Sequence, residues 1–270
     1  MTICMGAICK DKADQVARAV VVASDRMVTW AQLTQFEHRV PKFHLMAPAV
    51  VGLSAGDALV GTRLIEEALP TAAKATSVAE IAESLANSYA AIRISSAEAD
   101  ILRPRGLTMD SYYQMHQSMM VNVVGMLDQQ LLGYDLGVEL LLAGVDAAGG
   151  HLHTIHNPAG RYLTHDVIGA AAVGSGALHA VQSMIEFRHF GEEALMDTIF
   201  RVYAAKRRAE VAPGVGNETD MLYVDSDGMH RLGEETLSQL GDLYREFVTA
   251  ADKGLGAKLK SLKIGSEEAK

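Results

Sequence analysis

The sequence predicts an α+β protein in which two antiparallel sheets are stacked between layers of helices. Strand-like segments stand in blocks near the start, in the middle and near the end of the chain, and helix-like segments fill the intervals between them. Hairpin-type turns join neighbouring strand segments, most clearly at Asp227-Gly228, and such turns favour antiparallel pairing. No internal repeat of fixed period interrupts this order.

Strands dominate the N-terminal part of the chain. The segments TICMGAIC (residues 2–9) and RAVVVASD (residues 18–25) are rich in apolar and β-branched residues, and a charged loop at residues 10–17 separates them. Residues 36–58 then supply two further strands on either side of Pro48, and the second of these closes on a glycine-containing turn. The chain therefore opens with two strand pairs.

Helical periodicity follows directly. Apolar residues recur at steps of three and four in DALVGTRLIEEAL (residues 57–69) and in SVAEIAESLANSYAAI (residues 77–92). Asp57 and Ser77 are candidate N-caps, because their short polar side chains can accept a hydrogen bond from a free amide of the first helical turn. The sequence thus predicts two helices here.

An insertion at about residues 94–130 enlarges this helical block. The segment ILRPRGLTMD (residues 101–110) breaks the periodicity with a proline and a glycine. One long helix is then predicted over residues 110–132, because apolar residues again recur at helical spacing. Flexible thioethers fill irregular gaps, which indicates a core or subunit-interface role for a methionine stripe at Met115, Met119 and Met126.

The C-terminal half repeats the alternation of strand and helix blocks. Strands are predicted at residues 137–146, 150–166 and 167–176, helices at 177–187 and 191–211, a strand pair at 220–232, and a last helix at 234–255. We expect a single domain over residues 1–255, followed by a polar, mobile tail at residues 256–270.

Composition excludes several classes of partner. A net charge of −9 argues against nucleic acid, because binding phosphates needs clustered lysine and arginine. The apolar run VELLLAGV (residues 138–145) is far shorter than the roughly 20 residues of a membrane helix. Cys4 and Cys9 have an odd separation, so they lie on opposite faces of a strand and cannot pair. Free thiols and the lack of a secretion signal predict a cytoplasmic protein without a membrane partner.

Five segments, in order, resemble β-type subunits of the proteasome family. These are TICMG (2–6), VVVASDRMVT (20–29), VPKFHL (40–45), GLSAGDAL (52–59) and AAAVGSGALHA (170–180). That family, which has bacterial and archaeal members, belongs to the N-terminal nucleophile (Ntn) hydrolases, and the resemblance implies their four-layer αββα sandwich. The similarity covers most of the chain, whereas the insertion at about residues 94–130 is longer than in the family.

The resemblance implies that Thr2 is the nucleophile. A hydroxyl needs a base to take its proton, and a free α-amine has an ordinary pKa of about 7.7–8.0, close to working pH. Base and nucleophile can therefore belong to one residue once Met1 is removed, and threonine is small enough for such removal. The alternative is that Thr2 is only a β-branched residue at the start of a strand.

Three further roles follow from the resemblance. Lys42 is expected to be a buried ammonium beside the Thr2 hydroxyl, and Asp25 to pair with it and keep it charged. Gly56 is expected to offer its backbone N–H to the oxyanion, just before a helix N-terminus. The alternatives are a surface ion pair for Asp25 and Lys42 and a tight-turn glycine for Gly56.

Two more site residues are predicted at the far end of the chain. Ser175 matches the family serine that contacts the α-amine, with a helix N-cap as its alternative role. In RRAEVAPGVG (residues 207–216) Glu210 falls at the place of a family aspartate, and Pro213 replaces a serine. Proline has neither a hydroxyl nor an N–H, so the chain departs from the family pattern there.

The expected activity is that of a threonine peptidase, which cleaves peptide bonds through an acyl-enzyme on Thr2. The resemblance further implies a homo-oligomeric ring, a peptide or unfolded-protein substrate and an ATPase or other regulator. An Ntn amidase or peptide ligase, and a non-catalytic scaffold subunit, remain as alternatives. No cofactor is expected, and no metal either, because no cysteine or carboxylate cluster accompanies His151 and His153 on their strand face.

Overall fold

The computed structural model describes residues 2–10, 19–30, 34–39, 41–158 and 161–259. The predicted charged loop therefore lies outside the described residues, apart from Lys10. The chain forms two compact units, Met1–Arg231 and Leu232–Lys270. The first unit contains every sheet found in the described residues, and the predicted α+β class with antiparallel sheets is confirmed.

The first sheet has five strands, and every neighbouring pair is antiparallel. In spatial order they are β10 (Ala170–Val173), β1 (Cys4–Cys9), β2 (Ala19–Asp25), β11 (Thr219–Asp225) and β12 (Gly228–Arg231). The neighbouring interior strands β1 and β2 are buried along their whole length, as their apolar sequences require.

The second sheet also has five antiparallel strands. Their order is β5 (Phe43–Ala47), β6 (Val50–Gly56), β7 (Val138–Asp146), β8 (Gly149–Ile155) and β9 (Leu163–Thr164). The predicted strand pair on either side of Pro48 is confirmed as β5 and β6. A separate two-stranded hairpin, β3 (Met27–Trp30) with β4 (Thr34–Glu37), was not predicted from the sequence.

One hydrophobic cluster joins the two sheets. The burial of each large apolar side chain in such a cluster contributes about 1.5–3 kcal/mol. A Cβ atom on Gly6 would lie 2.7 Å from Leu152 Cδ2, so this glycine lets the sheets approach closely. The first sheet contributes Cys4, Ile8, Val20, Val22 and Leu222, and the second contributes Val51, Leu53, Leu141, Ala143 and Leu152.

Helices pack on both sheets. Helices α1 (Ala58–Ala72) and α2 (Val78–Ala97) contact the second sheet, whereas α5 (Ala177–Glu186) and α6 (Leu195–Ala209) contact the first. Their amphipathic sequences direct alanines and large aliphatic residues towards the strands.

Both predicted N-caps are confirmed. Asp57 Oδ1 accepts hydrogen bonds from the amides of Leu59 at 2.9 Å and Val60 at 3.1 Å. Ser77 Oγ accepts one from the amide of Glu80 at 3.3 Å. The N-cap of α1 therefore directly follows Gly56, the last residue of β6.

The prediction of one long helix over residues 110–132 is wrong. The structure has two helices, α3 (Met109–Met115) and α4 (Val121–Leu132), separated by a single tight turn. Ser118 Oγ donates to the carbonyl of Met115 at 2.7 Å, and His116 Nδ1 to that of Tyr113 at 2.7 Å. These side chains bind carbonyl groups that would accept hydrogen bonds from backbone amides if the helix continued.

The insertion has its own small core, formed by Ala97, Ile101, Leu102, Tyr112, Leu127 and Leu131. Met119 packs against this core, whereas Met115 and Met126 are exposed. The core interpretation of the methionine stripe therefore holds for Met119 alone.

The second unit contains helix α7 (Glu234–Leu259). This helix continues four residues beyond the predicted end at residue 255, and residues 260–270 lie outside the described part of the chain. None of the helices in the described residues combines the length and the apolar content that crossing a bilayer requires.

Candidate active site

Thr2, Asp25 and Lys42 come together in three dimensions. The Thr2 hydroxyl donates to Asp25 Oδ1 and accepts a hydrogen bond from Lys42 Nζ. Lys42 Nζ lies 2.5 Å from Asp25 Oδ1. Thr2 and Asp25 are buried, and the Lys42 side chain is only 14% exposed, so the three groups form one shielded cluster rather than a surface ion pair.

Strand pairing places these residues. Cys4 pairs with Ser24 in the register of β1 and β2, so the residues just before β1 lie opposite the end of β2. The amide of Asp25 donates to the carbonyl of Ile3 at 3.2 Å. Lys42 arrives from the other sheet, immediately before β5. The cluster therefore lies where an end of the first sheet meets an edge strand of the second.

Both carboxylate oxygens of Asp25 are hydrogen-bonded. Besides Thr2 and Lys42, Oδ1 accepts from the amide of Ile3 at 3.3 Å, and Oδ2 accepts from the amide of Gly216 at 2.8 Å. A buried carboxylate is costly unless its oxygens are paired in this way. Asp25 consequently provides a fixed negative charge against which Lys42 is held.

Gly56 ends β6 with φ +106°, a left-handed conformation that favours glycine. A Cβ atom at this position would overlap the carbonyl oxygen of Gly137, which accepts a hydrogen bond from the amide of Asp57 at 2.9 Å. The tight-turn role is therefore confirmed. Gly56 also lines the same cavity as Thr2 and Lys42, which is where an oxyanion-binding amide would have to lie.

A cavity of about 390 Å³ opens beside Thr2. Most of its described lining is apolar, and burial lowers the pKa of His44 in its wall, so that this imidazole is neutral near pH 7. The side chains that shape it are Met27, Val28, Phe36, Pro41, Leu59 and His44. An apolar group can therefore be held next to the Thr2 hydroxyl.

Ser175 contacts the backbone of Thr2. Its hydroxyl lies 3.4 Å from the carbonyl oxygen of Thr2 and 3.1 Å from that of Pro213. The N-cap of α5 is Gly176, so the alternative role of Ser175 as the cap is wrong. Pro213, which lacks a hydroxyl, takes part in this contact through its carbonyl group.

A second cavity, of about 530 Å³, borders the site on the side of Ser175. It shares Gly56 with the first cavity, and its lining includes the carboxylates of Asp135 and Glu139. Glu139 Oε2 accepts a hydrogen bond from the amide of Gly174 at 2.6 Å, next to Ser175. Sequence reasoning did not point to Glu139, because a glutamate at the start of a strand with an apolar interior belongs to no recognisable motif.

Glu210 pairs with cations of its own helix. Its Oε1 lies 2.7 Å from Lys206 Nζ and 3.0 Å from Arg207 Nη1. The structure thus connects Glu210 to the Thr2 cluster indirectly, through Lys206 and Gly216.

Lys206 was missed by sequence reasoning. Its side chain is fully buried, in the row of α6 residues that faces the first sheet. The signal available in the sequence was its position four residues after Val202 and four before Glu210, on an otherwise apolar helix face.

No protein-family model matches this chain, and no curated protein does either. The proteasome-like family therefore stays a prediction from the ordered motifs.

Proposed function

We propose that this protein is an N-terminal threonine hydrolase of the proteasome-like type, which cleaves peptide bonds through an acyl-enzyme on Thr2 after Met1 is removed. The observation that carries the proposal is the position of the Thr2 hydroxyl, which is hydrogen-bonded to both Lys42 and Asp25 at the edge of an apolar cavity. This arrangement lets a cation stabilise the oxygen as it loses its proton.

The proposal includes the four-layer αββα sandwich of the Ntn hydrolases, enlarged by the insertion at about residues 94–130. Two features support it: the two sheets share one hydrophobic cluster, and each sheet is contacted by its own helix pair.

The chemistry follows from the geometry around Thr2. The freed α-amine takes the proton of Oγ1 while the oxygen forms a bond to the carbonyl carbon of the substrate. Lys42 and the proposed Gly56 amide stabilise the negative charge of the tetrahedral intermediate. The C–N bond then breaks, the leaving amine takes the proton, and water cleaves the ester to restore the hydroxyl.

The apolar cavity supports a substrate preference. A peptide or unfolded protein with a large apolar side chain just before the scissile bond would bury that side chain against Met27, Val28 and Phe36. A charged side chain would lose its hydration there without gaining a carboxylate or cation from these three residues.

The assembly and the location belong to the same proposal. A homo-oligomeric ring, with an ATPase or other regulator, would confine the activity, and exposed apolar residues of the insertion such as Met120, Val121 and Met126 support a subunit contact. The two free cysteines support a cytoplasmic location. We propose no nucleic-acid or membrane partner.

The direct test compares Thr2→Ala with Thr2→Ser in assays with fluorogenic peptides. We expect Thr2→Ala to lower kcat/KM at least about 1000-fold, because the nucleophile is absent, and Thr2→Ser to keep measurable turnover. Circular dichroism and thermal melting serve as the folding control. Turnover by Thr2→Ala at the wild-type rate would contradict the proposal.

A further inference from the structure

We propose that Lys206 is a positioning residue for the Thr2 cluster, a second buried ammonium that holds the Gly216 amide on Asp25. The inference rests on the proposed function, since the reaction at Thr2 is where its effect is measured. Within the described part of the chain, Lys206 makes no hydrogen bond to Thr2 or Lys42 and does not line the apolar cavity, so it acts through the backbone rather than on a substrate.

Lys206 Nζ is completely hydrogen-bonded. It donates to Glu210 Oε1 at 2.7 Å, to the carbonyl of Gly216 at 2.9 Å and to that of Asn217 at 3.0 Å, which uses all three of its N–H groups. An ammonium in the interior costs several kcal/mol in lost hydration. The three hydrogen bonds offset this cost, and they tie the carboxylate of Glu210 and the carbonyls of Gly216 and Asn217 to one point.

Gly216 connects Lys206 to the reactive cluster. Its carbonyl accepts from Lys206, and its amide donates to Asp25 Oδ2 at 2.8 Å, so one residue is held from both sides. Gly216 is also closely packed on the side where a side chain would stand, since a Cβ atom there would lie 2.7 Å from Glu37 Oε1 and 3.2 Å from Met27 Cβ. The amides of Asn217 and Glu218 also donate to Glu37 Oε1, at 2.7 and 3.0 Å.

The charges of Lys206 and of the nearby carboxylates reinforce these hydrogen bonds. Burial lowers the pKa of Lys206, while the carboxylates of Glu210 and Asp25 oppose this effect. The Lys206 ammonium and the Asp25 carboxylate attract each other, because they carry opposite charges. Asp25 thus has two cations near it: Lys42 is in direct contact, and Lys206 is connected to it through Gly216.

The test replaces Lys206 in the full chain by methionine, which has a similar length and no charge. Arg208→Met is the matched control, because it removes a cation of the same helix whose partner, Glu186 at 2.7 Å, lies on the surface. We expect Lys206→Met to lower kcat about 10- to 100-fold with KM within about twofold, and Arg208→Met to change neither by more than about twofold. The rate at which an electrophilic peptide acylates Thr2, followed by intact mass, should fall in parallel.

A second variant separates positioning from simple stabilisation. Lys206→Met leaves Glu210 without its closest partner, so we also examine Lys206→Met with Glu210→Gln, which removes that partly buried charge. If Lys206 positions Asp25, the melting temperature of the double variant recovers while kcat stays low. If kcat recovers together with the melting temperature, Lys206 only stabilises the fold and the inference is overturned.

The outcomes for the two proposals can be told apart. Thr2-dependent turnover in the wild type, combined with an unchanged kcat in Lys206→Met, would overturn the role of Lys206 alone. Wild-type protein that neither cleaves peptides nor acylates at Thr2 would overturn both proposals.

Discussion

Asp25 is the residue that connects the separate parts of the candidate site. Its two oxygens bond to a hydroxyl, an ammonium and two backbone amides, contributed by residues from distant parts of the sequence. An aspartate with both oxygens engaged is rigid, so the positions of Thr2 and Lys42 are defined by the fold before any substrate binds.

The Asp25–Lys42 pair makes a testable link between stability and activity. Lys42→Met leaves the Asp25 carboxylate buried without its cation, and we expect a loss of about 3–5 kcal/mol in the free energy of unfolding together with the loss of peptide cleavage. Chemical denaturation monitored by circular dichroism measures the first effect. The double variant with Asp25→Asn should regain most of the stability but none of the activity; equal instability of the single and double variants would argue against a paired buried charge.

His151 gives the fold a pH dependence that is independent of the reaction. Its ring is stacked on His153 at 6.0 Å, as their shared strand face predicts, with Nδ1 2.7 Å from Asp166 Oδ2 and Nε2 3.0 Å from Asp146 Oδ1. The hydrogen bond to Asp166, followed by the charges of both carboxylates, raises the pKa of His151 against the opposing effect of burial.

The raised pKa of His151 in the folded state determines how stability changes with pH. The stabilisation by the charged ring is fully present below the unfolded-state pKa of about 6.5 and is lost as the pH rises through the folded-state pKa. We therefore expect the melting temperature of the wild type to exceed that of His151→Gln most near pH 6, and the difference to shrink towards alkaline pH. A difference that widens with pH would be inconsistent with this pairing.

At the scale of elements, the turn from β6 into α1 positions the proposed oxyanion amide. Gly56→Ala should both strain the backbone and drive a methyl group into the Gly137 carbonyl, whereas Gly106→Ala meets strain alone, because φ is +73° there and no atom lies within 4 Å. We expect about 1 kcal/mol of destabilisation for Gly106→Ala and at least about 3 kcal/mol for Gly56→Ala. Thermal unfolding of the two variants measures the contrast, and equal losses would contradict the close approach to Gly137.

Elements with strong local signals could be predicted from the sequence. The caps at Asp57 and Ser77 and the strands around Pro48 depend on residues that are adjacent in the chain, and the structure contains them. The split between α3 and α4 could not be predicted, because residues 110–132 keep helical periodicity throughout. Whether Ser118 and His116 bond to the preceding carbonyls depends on conformation rather than on pattern.

The residues of the candidate site likewise divide into those that local motifs reveal and those that only the folded structure reveals. Thr2, Asp25, Lys42 and Gly56 lie in short motifs that can be recognised in order, whereas Lys206 stands in a row of cations on α6. Only the folded chain shows that Lys206 points inwards while Arg208 bonds Glu186 near the surface. Burial of a charge is decided by tertiary contacts, which a single sequence does not contain.

At the scale of the whole molecule, the site exists because two sheets pack together. Thr2 lies just before a strand of the first sheet and Asp25 ends another, whereas Lys42 lies just before a strand of the second sheet and Gly56 ends another. The shared apolar cluster holds the two sheets in place. Rigid packing of this kind is the reason that residues 40 positions apart can keep hydrogen-bond geometry without a substrate.

The most direct measurement is intact-mass spectrometry of the protein purified from its native host, before and after reaction with a peptide that ends in an electrophilic vinyl sulfone. We expect the chain to begin at Thr2 and to gain a single adduct, located on Thr2 by fragmentation and absent from Lys42→Met. A chain that keeps Met1 throughout, or an adduct on any residue other than Thr2, would contradict the proposal that Thr2 is the nucleophile.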